Sequence, residues 1–459
     1  MKRTKWRKKK KKVKAKTKRQ RVSKKHHQLI AVNLKEKMRY FEQHPPDIPG
    51  FSVSRMEYLI HLILTRKQVD NDNYCNAWSI LNMEYMNNVI PQASKYLHLL
   101  REEGIIEWIN HSAGRNSRWY RLINEGWTEQ VPITDMKIIR RVEKNKSHLA
   151  RRNSKKHPFL NKAIRKVNID FEEARQAVDE KYQENIQKGM DAEGAEARRT
   201  YALSAIMRIH AEEIYIKTNT TNFRLDSNFT NLPGYLLKYC HIEGQSFIEM
   251  DIRNSQPYFA GALFNPTKEV LEVMEDYLPH SDLMSVKPLL SIEAHDVNLY
   301  RSLVSSGKFY EYMAQQFQDR GLTEFADRKQ LKTYLFKSVF FGNKYTYKFK
   351  GKAGEPARVF KEVFPTVNKV FNRIKRKEHN KLAILLQRIE SYTMLERVVK
   401  EIESKHPDMD MLTKHDSILP VRLLMPNKPG ALESVRSIMV DTITTVTGLA
   451  PQGRMRKLR

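Results

Sequence analysis

Apolar residues recur at helical spacing through RMEYLIHLILTR (55–66) and SILNMEYMNN (79–88), with the turn-rich KQVDNDNYCNA between them. A third helix is predicted in PQASKYLHLLREEG, where Ala93, Leu97 and Leu100 share a face, Pro91 opens the element and Gly104 stops it. IIEWIN and SRWYRLI then read as two strands joined by HSAGRN, a hairpin. Helix, helix, helix, hairpin is the order of a winged helix-turn-helix, so residues 50–125 are expected to form that module. Its last helix would present Gln92, Ser94, Lys95 and His98 to a major groove, and Arg115 and Arg118 beside the wing turn would reach phosphates. Use of the same module for protein contact stays open.

Residues 126–158 are rich in Lys, Arg and Asn and are expected to be a basic linker or an exposed basic helix. Charged and apolar faces alternate through 160–215, which predicts helices. Beyond them the pattern becomes irregular. FRLDSNFTNLPGYL (223–236) is an extended loop, and SFIEMDIRNSQPYFAG runs as a strand to Ile252, placing Asp251 near its end. In RKQLKTYLFKSVFFGNKYTY, Lys329, Thr333, Lys337, Phe341 and Tyr345 recur every fourth residue and line one face for as long as the helix continues. LTKHDSILPV reads as strand, turn, strand, with Asp416 at the turn.

Composition narrows the class. The 459 residues allow two or three domains, and 40% apolar content fills a substantial core. The formal net charge is +30, and the first 25 residues are dense in Lys and Arg with no Asp or Glu. Such a run cannot bury itself, so residues 1–28 are expected to be a disordered tail that binds a polyanion, nucleic acid first of all, through counterion release. A localisation signal or a solubilising tail is the alternative. Cys75 and Cys240 are far apart and neither sits in a CxxC pair, so neither a disulfide framework nor a structural zinc site is supported. No apolar run approaches the roughly 20 residues that span a bilayer, and the basic start lacks the apolar core of a secretory signal. A soluble, cytoplasmic, nucleoid-associated protein is expected.

Asp251 and Asp416 sit where two strand ends can meet. Carboxylates held close repel unless a cation lies between them, and Mg²⁺ accepts one or two carboxylates with phosphate oxygens. Two such ions support phosphoryl transfer, and the lysines and aromatics of the 329–345 stripe suit a triphosphate and a base.

Taken in order, these segments resemble the polymerase domain of family A DNA polymerases and single-subunit RNA polymerases. RLDSNFTNLP is similar to the primer–template segment of the DNA enzymes at Arg224, Leu225, Ser227, Asn231 and Pro233; DIRNSQP resembles the first catalytic motif, KSVFFGNKY the second and KHDSI the third. The resemblance implies an α+β right-hand polymerase over residues 159–459, with an antiparallel palm sheet, helical fingers and a thumb from 160–215, preceded by the winged-helix domain. Asp251 and Asp416 would then be catalytic ligands of two Mg²⁺ ions. Lys337, a third catalytic residue, would with Lys329, Lys332, Phe341, Tyr345 and Gln256 bind the nucleotide, while Arg224, Asn231, Gln387 and His415 would contact primer–template. Thr333 stands where an Arg is usual and Thr346 where a Gly is usual. Pro257 and Tyr258 follow Gln256 in place of the Glu that crowds a ribose 2′-hydroxyl, and Ser417 matches the RNA enzymes, whereas Arg224–Leu225 and Phe341–Gly342 match the DNA enzymes. The implied function is a small DNA polymerase without proofreading, acting on DNA and nucleoside triphosphates for a phage, plasmid or mobile element. A single-subunit RNA polymerase or primase, or a winged-helix replication initiator with an inert polymerase fold, are the alternatives.

Overall fold

Helices predominate in the computed structural model, with short antiparallel strand pairs set between them; it describes residues 26–66, 78–109, 117–124, 126–153, 157–325, 327–351, 354–421 and 430–457. The chain divides into two units, the first comprising Met1–Lys155, Arg165–Tyr215 and Asn231–Glu243, the second Lys156–Ile164, Ile216–Thr230 and Gly244–Arg459. The helices Phe171–Gln187 and Ala192–His210, expected as a thumb, cluster with the first unit.

In the first unit, helices Val53–Thr65, Met83–Val89 and Ala93–Glu102 accompany a three-stranded antiparallel sheet. Strand Ser117–Leu122 lies at its centre, with Ser79–Asn82 on one side and Ile106–Ile109 on the other. The helix expected over 79–88 starts four residues later. Ser79–Asn82 alternates buried and exposed positions and pairs as a strand, and the Asn82 side chain then accepts from the Glu84 and Tyr85 amides, which caps the helix at Met83. Residues 1–25 of the expected tail lie outside the described residues, as does Arg115. His27 and Gln28, placed in that tail, instead belong to strand His27–Ala31, which pairs with Thr128–Pro132; the basic run stops at Lys25 and HQLIA supplies strand-forming apolar positions. The expected linker accordingly holds a strand and the helix Met136–Asn153.

The second unit is built on a four-stranded antiparallel sheet. Its strands are β1 (Ile248–Ile252), β2 (Met411–Lys414), β3 (Ser417–Pro420) and β4 (Gly453–Lys457), in the order β2-β3-β1-β4. Along β1, Ile248, Met250 and Ile252 are buried while Glu249 and Asp251 are half-buried on the other face, the period of two that a sheet imposes. Helix α1 (Ser255–Gly261) follows β1 and packs against α3 (Lys381–Ser391), whose Leu382, Leu385, Leu386 and Ile389 are fully buried. Between them in sequence, α2 (Arg328–Leu335) runs into a π-helical turn, Phe336–Phe340. No helix among the described residues is long and apolar enough to cross a membrane.

Candidate active site

Strand register brings the two aspartates together. Met250 pairs with Ile418 and Asp251 with Ser417, so Asp416 sits one residue from the direct cross-strand partner of Asp251. Directly opposed residues in an antiparallel ladder have Cα atoms roughly 4.5–5.5 Å apart, which brings the Asp251 and Asp416 backbones close together where β1 meets the β2–β3 turn. His415 and Asp416 form the two-residue turn between β2 and β3, and His415 takes a positive φ of 56°, the backbone bend that a tight hairpin requires. On the other side of β1, Asp251 pairs with Arg454 of β4, whose Nε lies 3.4 Å from Asp251 Oδ1.

The side chain that ties this strand end to the helices is one that sequence reasoning missed. Glu390 on α3 is 1% exposed and is bonded by two of the segments singled out above. Arg224 Nε and Nη2 donate to its two oxygens at 2.8 and 2.9 Å, Gln256 Nε2 donates at 2.9 Å and Ser255 Oγ at 3.3 Å. Burial pushes the Glu390 carboxyl up to about 7; the Arg224 guanidinium opposes that rise and the charge of Asp416 adds to it. The signal was a lone carboxylate in the stretch LAILLQRIESYTML, one helical turn beyond Gln387. Gln387 itself accepts from the Asn222 amide at 3.0 Å, two residues before Arg224.

His415 is held neutral. Burial lowers its pKa to about 4, and the Arg224 and Lys414 cations add to the effect. Among the described residues, Asn254 Oδ1 and Nδ2, Gln256 Oε1 and His415 Nδ1 are buried without a hydrogen-bond partner. Each such group costs roughly 1–3 kcal/mol to leave unsatisfied, so their clustering next to Asp251 and Asp416 suits a polar ligand. The donor set also fits a hard cation. No group of three or more His, Cys, Asp or Glu converges among the described residues, but Mg²⁺ needs only one or two carboxylates when phosphate and water oxygens complete its shell.

Not all expected residues gather here. Asp251, Asp416, His415, Arg224 and Gln256 do, with Glu390. Lys329, Lys332 and Lys337 are exposed on α2 and the π-turn that continues it. The stripe of every fourth residue does not reach Tyr345, because the helical segment ends at Phe340. A Cβ on Gly342 would lie 2.2 Å from the Ser338 carbonyl oxygen, so the chain turns where only glycine fits. Tyr345 lies past that turn, 49% exposed, with the Lys344 and Lys348 ammoniums each 5.0 Å from its ring. The turn is held from beneath: buried Lys375 donates to the Val339 and Gly342 carbonyls at 2.6 and 3.1 Å, and its burial lowers the ammonium pKa to about 8. Asn231 belongs to the first unit, where its amide donates to the Tyr215 hydroxyl at 2.6 Å.

In the first unit, Gln92, Ser94, Lys95 and His98 are all exposed, whereas Ala93, Tyr96, Leu97 and Leu100 of the same helical stretch are buried. The His98 ring centroid is 5.0 Å from that of Trp108, and the Arg118 guanidinium lies 5.3 Å from the Trp108 centroid.

No protein-family model matches this chain, and no curated protein matches it. Among solved structures it is similar to the POL domain of Pol1 from M. smegmatis in complex with DNA primer-template and dNTP. The TM-score is 0.42 at 10% identity, over 88% of this chain and 81% of that one.

Proposed function

We propose that the second unit is a template-directed nucleotidyltransferase, a DNA polymerase with Asp251 and Asp416 as its metal-holding carboxylates. The observation that supports this reading is the pairing of Asp251 with Ser417, which brings two carboxylate-bearing residues from distant segments near one another at the strand ends, with buried, unsatisfied polar atoms on neighbouring residues. Asp251 and Asp416 would hold two Mg²⁺ ions, which when bound supply activation of a primer 3′-hydroxyl and neutralise the departing pyrophosphate. The chain's own groups position the reactants. Lys329, Lys332 and Lys337 offer an exposed cationic face to a triphosphate, while Phe341 and Tyr345 offer ring faces to a base. Arg224 and Gln256 are fixed on Glu390, and a neutral His415 donates or accepts a hydrogen bond without adding charge to the metal site.

The first unit supports DNA delivery in this reading: a helix with Gln92, Ser94, Lys95 and His98 outermost serves a duplex in the replication of a phage, plasmid or mobile element. The test is primer extension with purified protein and Mg²⁺. Incorporation is expected, and Asp251→Ala or Asp416→Ala should each lower it by about a hundredfold or more, since even outer-shell partners of a metal cost ~10–100-fold. Full extension by both folded variants removes the mechanism. Supplying ribo- or deoxyribonucleotides, with and without primer, separates DNA synthesis from an RNA polymerase or primase. Duplex binding without incorporation favours an initiator.

A further inference from the structure

Arg224 is a cation placed to rival a metal: it is held on Glu390, whose other donors, Ser255 and Gln256, follow directly on the end of β1 that carries Asp251. Its charge depresses His415, the residue before Asp416, and the charge of Asp416 in turn acts on Glu390, so guanidinium, imidazole and the two carboxylates occupy one electrostatic neighbourhood. Asp251 already has a guanidinium beside it, Arg454, but that side chain is 47% exposed and can move into water when a cation arrives. Arg224 has less freedom, being 18% exposed. Were it to close on Asp416, it would form a bidentate pair in a poorly hydrated place, and such a pair is among the stronger charge-assisted contacts available to a protein.

Glu390 engages the Arg224 fork instead. It takes Arg224 through both Nε and Nη2, so the planar fork is turned onto α3. Gln256 and Ser255 supply further donors to the same carboxylate oxygen and pin it in turn. We infer that Glu390 is a positioning residue that reserves Arg224, keeping its guanidinium off Asp416 so that the Asp251–Asp416 pair stays open to a divalent cation. The inference rests on the nucleotidyltransferase reading for the identity of that cation, but concerns only how this chain keeps the carboxylates accessible.

A double-mutant cycle on the full chain, read as Mn²⁺ binding by electron paramagnetic resonance without nucleotide or DNA, tests it. Glu390→Gln is expected to weaken Mn²⁺ binding about tenfold while Arg224 is present, the lower end of what outer-shell partners contribute. In an Arg224→Gln background the same change is expected to cost less than about threefold, because no guanidinium remains to be reserved; a plain through-space charge effect would be equal in both backgrounds. Equal losses in the two backgrounds, or no loss on Glu390→Gln alone, overturn the inference, as does wild-type protein that binds Mn²⁺ no better than the Asp251→Ala/Asp416→Ala double variant. Circular dichroism and the denaturation midpoint confirm that each variant is folded. The polymerase reading fails separately, if wild-type protein binds Mn²⁺ with the expected coupling and yet incorporates no nucleotide.

Discussion

Arg224 and Glu390 are 166 positions apart and are joined by two hydrogen bonds of 2.8 and 2.9 Å, one to each carboxylate oxygen. The pair links the turn before strand Leu225–Ser227 to α3, and Gln256 of α1 joins the same carboxylate. Removing one member of a buried pair strands the other, which costs about 3 kcal/mol or more. Arg224→Ala should therefore lower unfolding stability by about 3 kcal/mol, measured by urea denaturation, and Arg224→Lys should recover only part of it because the bidentate fork is lost.

Gly342 allows the chain to turn against the Ser338 carbonyl, 2.2 Å from where a Cβ would stand. The obstructing atom is backbone and cannot rotate away. Gly342→Ala is expected to destabilise the second unit by about 1–3 kcal/mol, the usual cost of overpacking, and to raise the KM for nucleotide more than it lowers kcat. An unchanged melting temperature would contradict the close approach.

Lys375 offers a contest of two terms. Its ammonium is costly to bury, which is why its pKa falls to about 8, but it serves two carbonyls that would otherwise be orphaned. Unsatisfied buried acceptors cost about 1–3 kcal/mol each, so Lys375→Met should destabilise the protein in chemical denaturation by about that amount. A stabilised variant would mean that relief of the buried charge outweighs both hydrogen bonds.

The first unit should weaken in acid through His61. Its Nδ1 accepts from the Leu29 amide at 3.0 Å, and burial, with the Arg208 and Arg66 cations, lowers its pKa from 6.5 to about 3. A base whose folded pKa is depressed stabilises the fold above its unfolded pKa, and that contribution is lost as pH falls from 6.5 toward the folded value. His61→Gln keeps an acceptor that does not titrate. Between about pH 6.5 and pH 4 the wild type should lose more stability than this variant, and parallel losses would exclude His61 as the cause.

Lys95 stands on the exposed face of the Ala93–Glu102 helix. If that face meets a phosphate backbone, Lys95→Ala should weaken duplex binding for all sequences alike and reduce the slope of log K against log salt by about 1. A fluorescence anisotropy titration at several salt concentrations measures it, and an unchanged slope assigns Lys95 elsewhere.

Local pattern was enough to locate β1, the β2–β3 hairpin and the helix with Gln92, Ser94, Lys95 and His98 outermost, because period-two and helical alternation record which face is buried. Pattern misread Ser79–Asn82, where pairing with Ser117–Leu122 overrode a helix-like stretch, and it extended the Lys329 stripe through a helix that ends at Phe340. It also passed over Glu390, one turn beyond Gln387, whose carboxylate takes the Arg224 fork.

The sequence by itself determined the identity and order of the chemical groups: Arg224, Asp251, Lys337 and Asp416 along one chain, with a basic N-terminus ahead of them. Only the tertiary structure decided that Asp251 stands opposite Ser417, that Arg224 is turned onto Glu390, and that His415 is buried enough to stay neutral. The reason is physical. Alternation and turn chemistry act over a few residues and leave their mark in sequence, whereas strand register, desolvation and the pairing of charges 166 residues apart arise only when the chain has closed on itself.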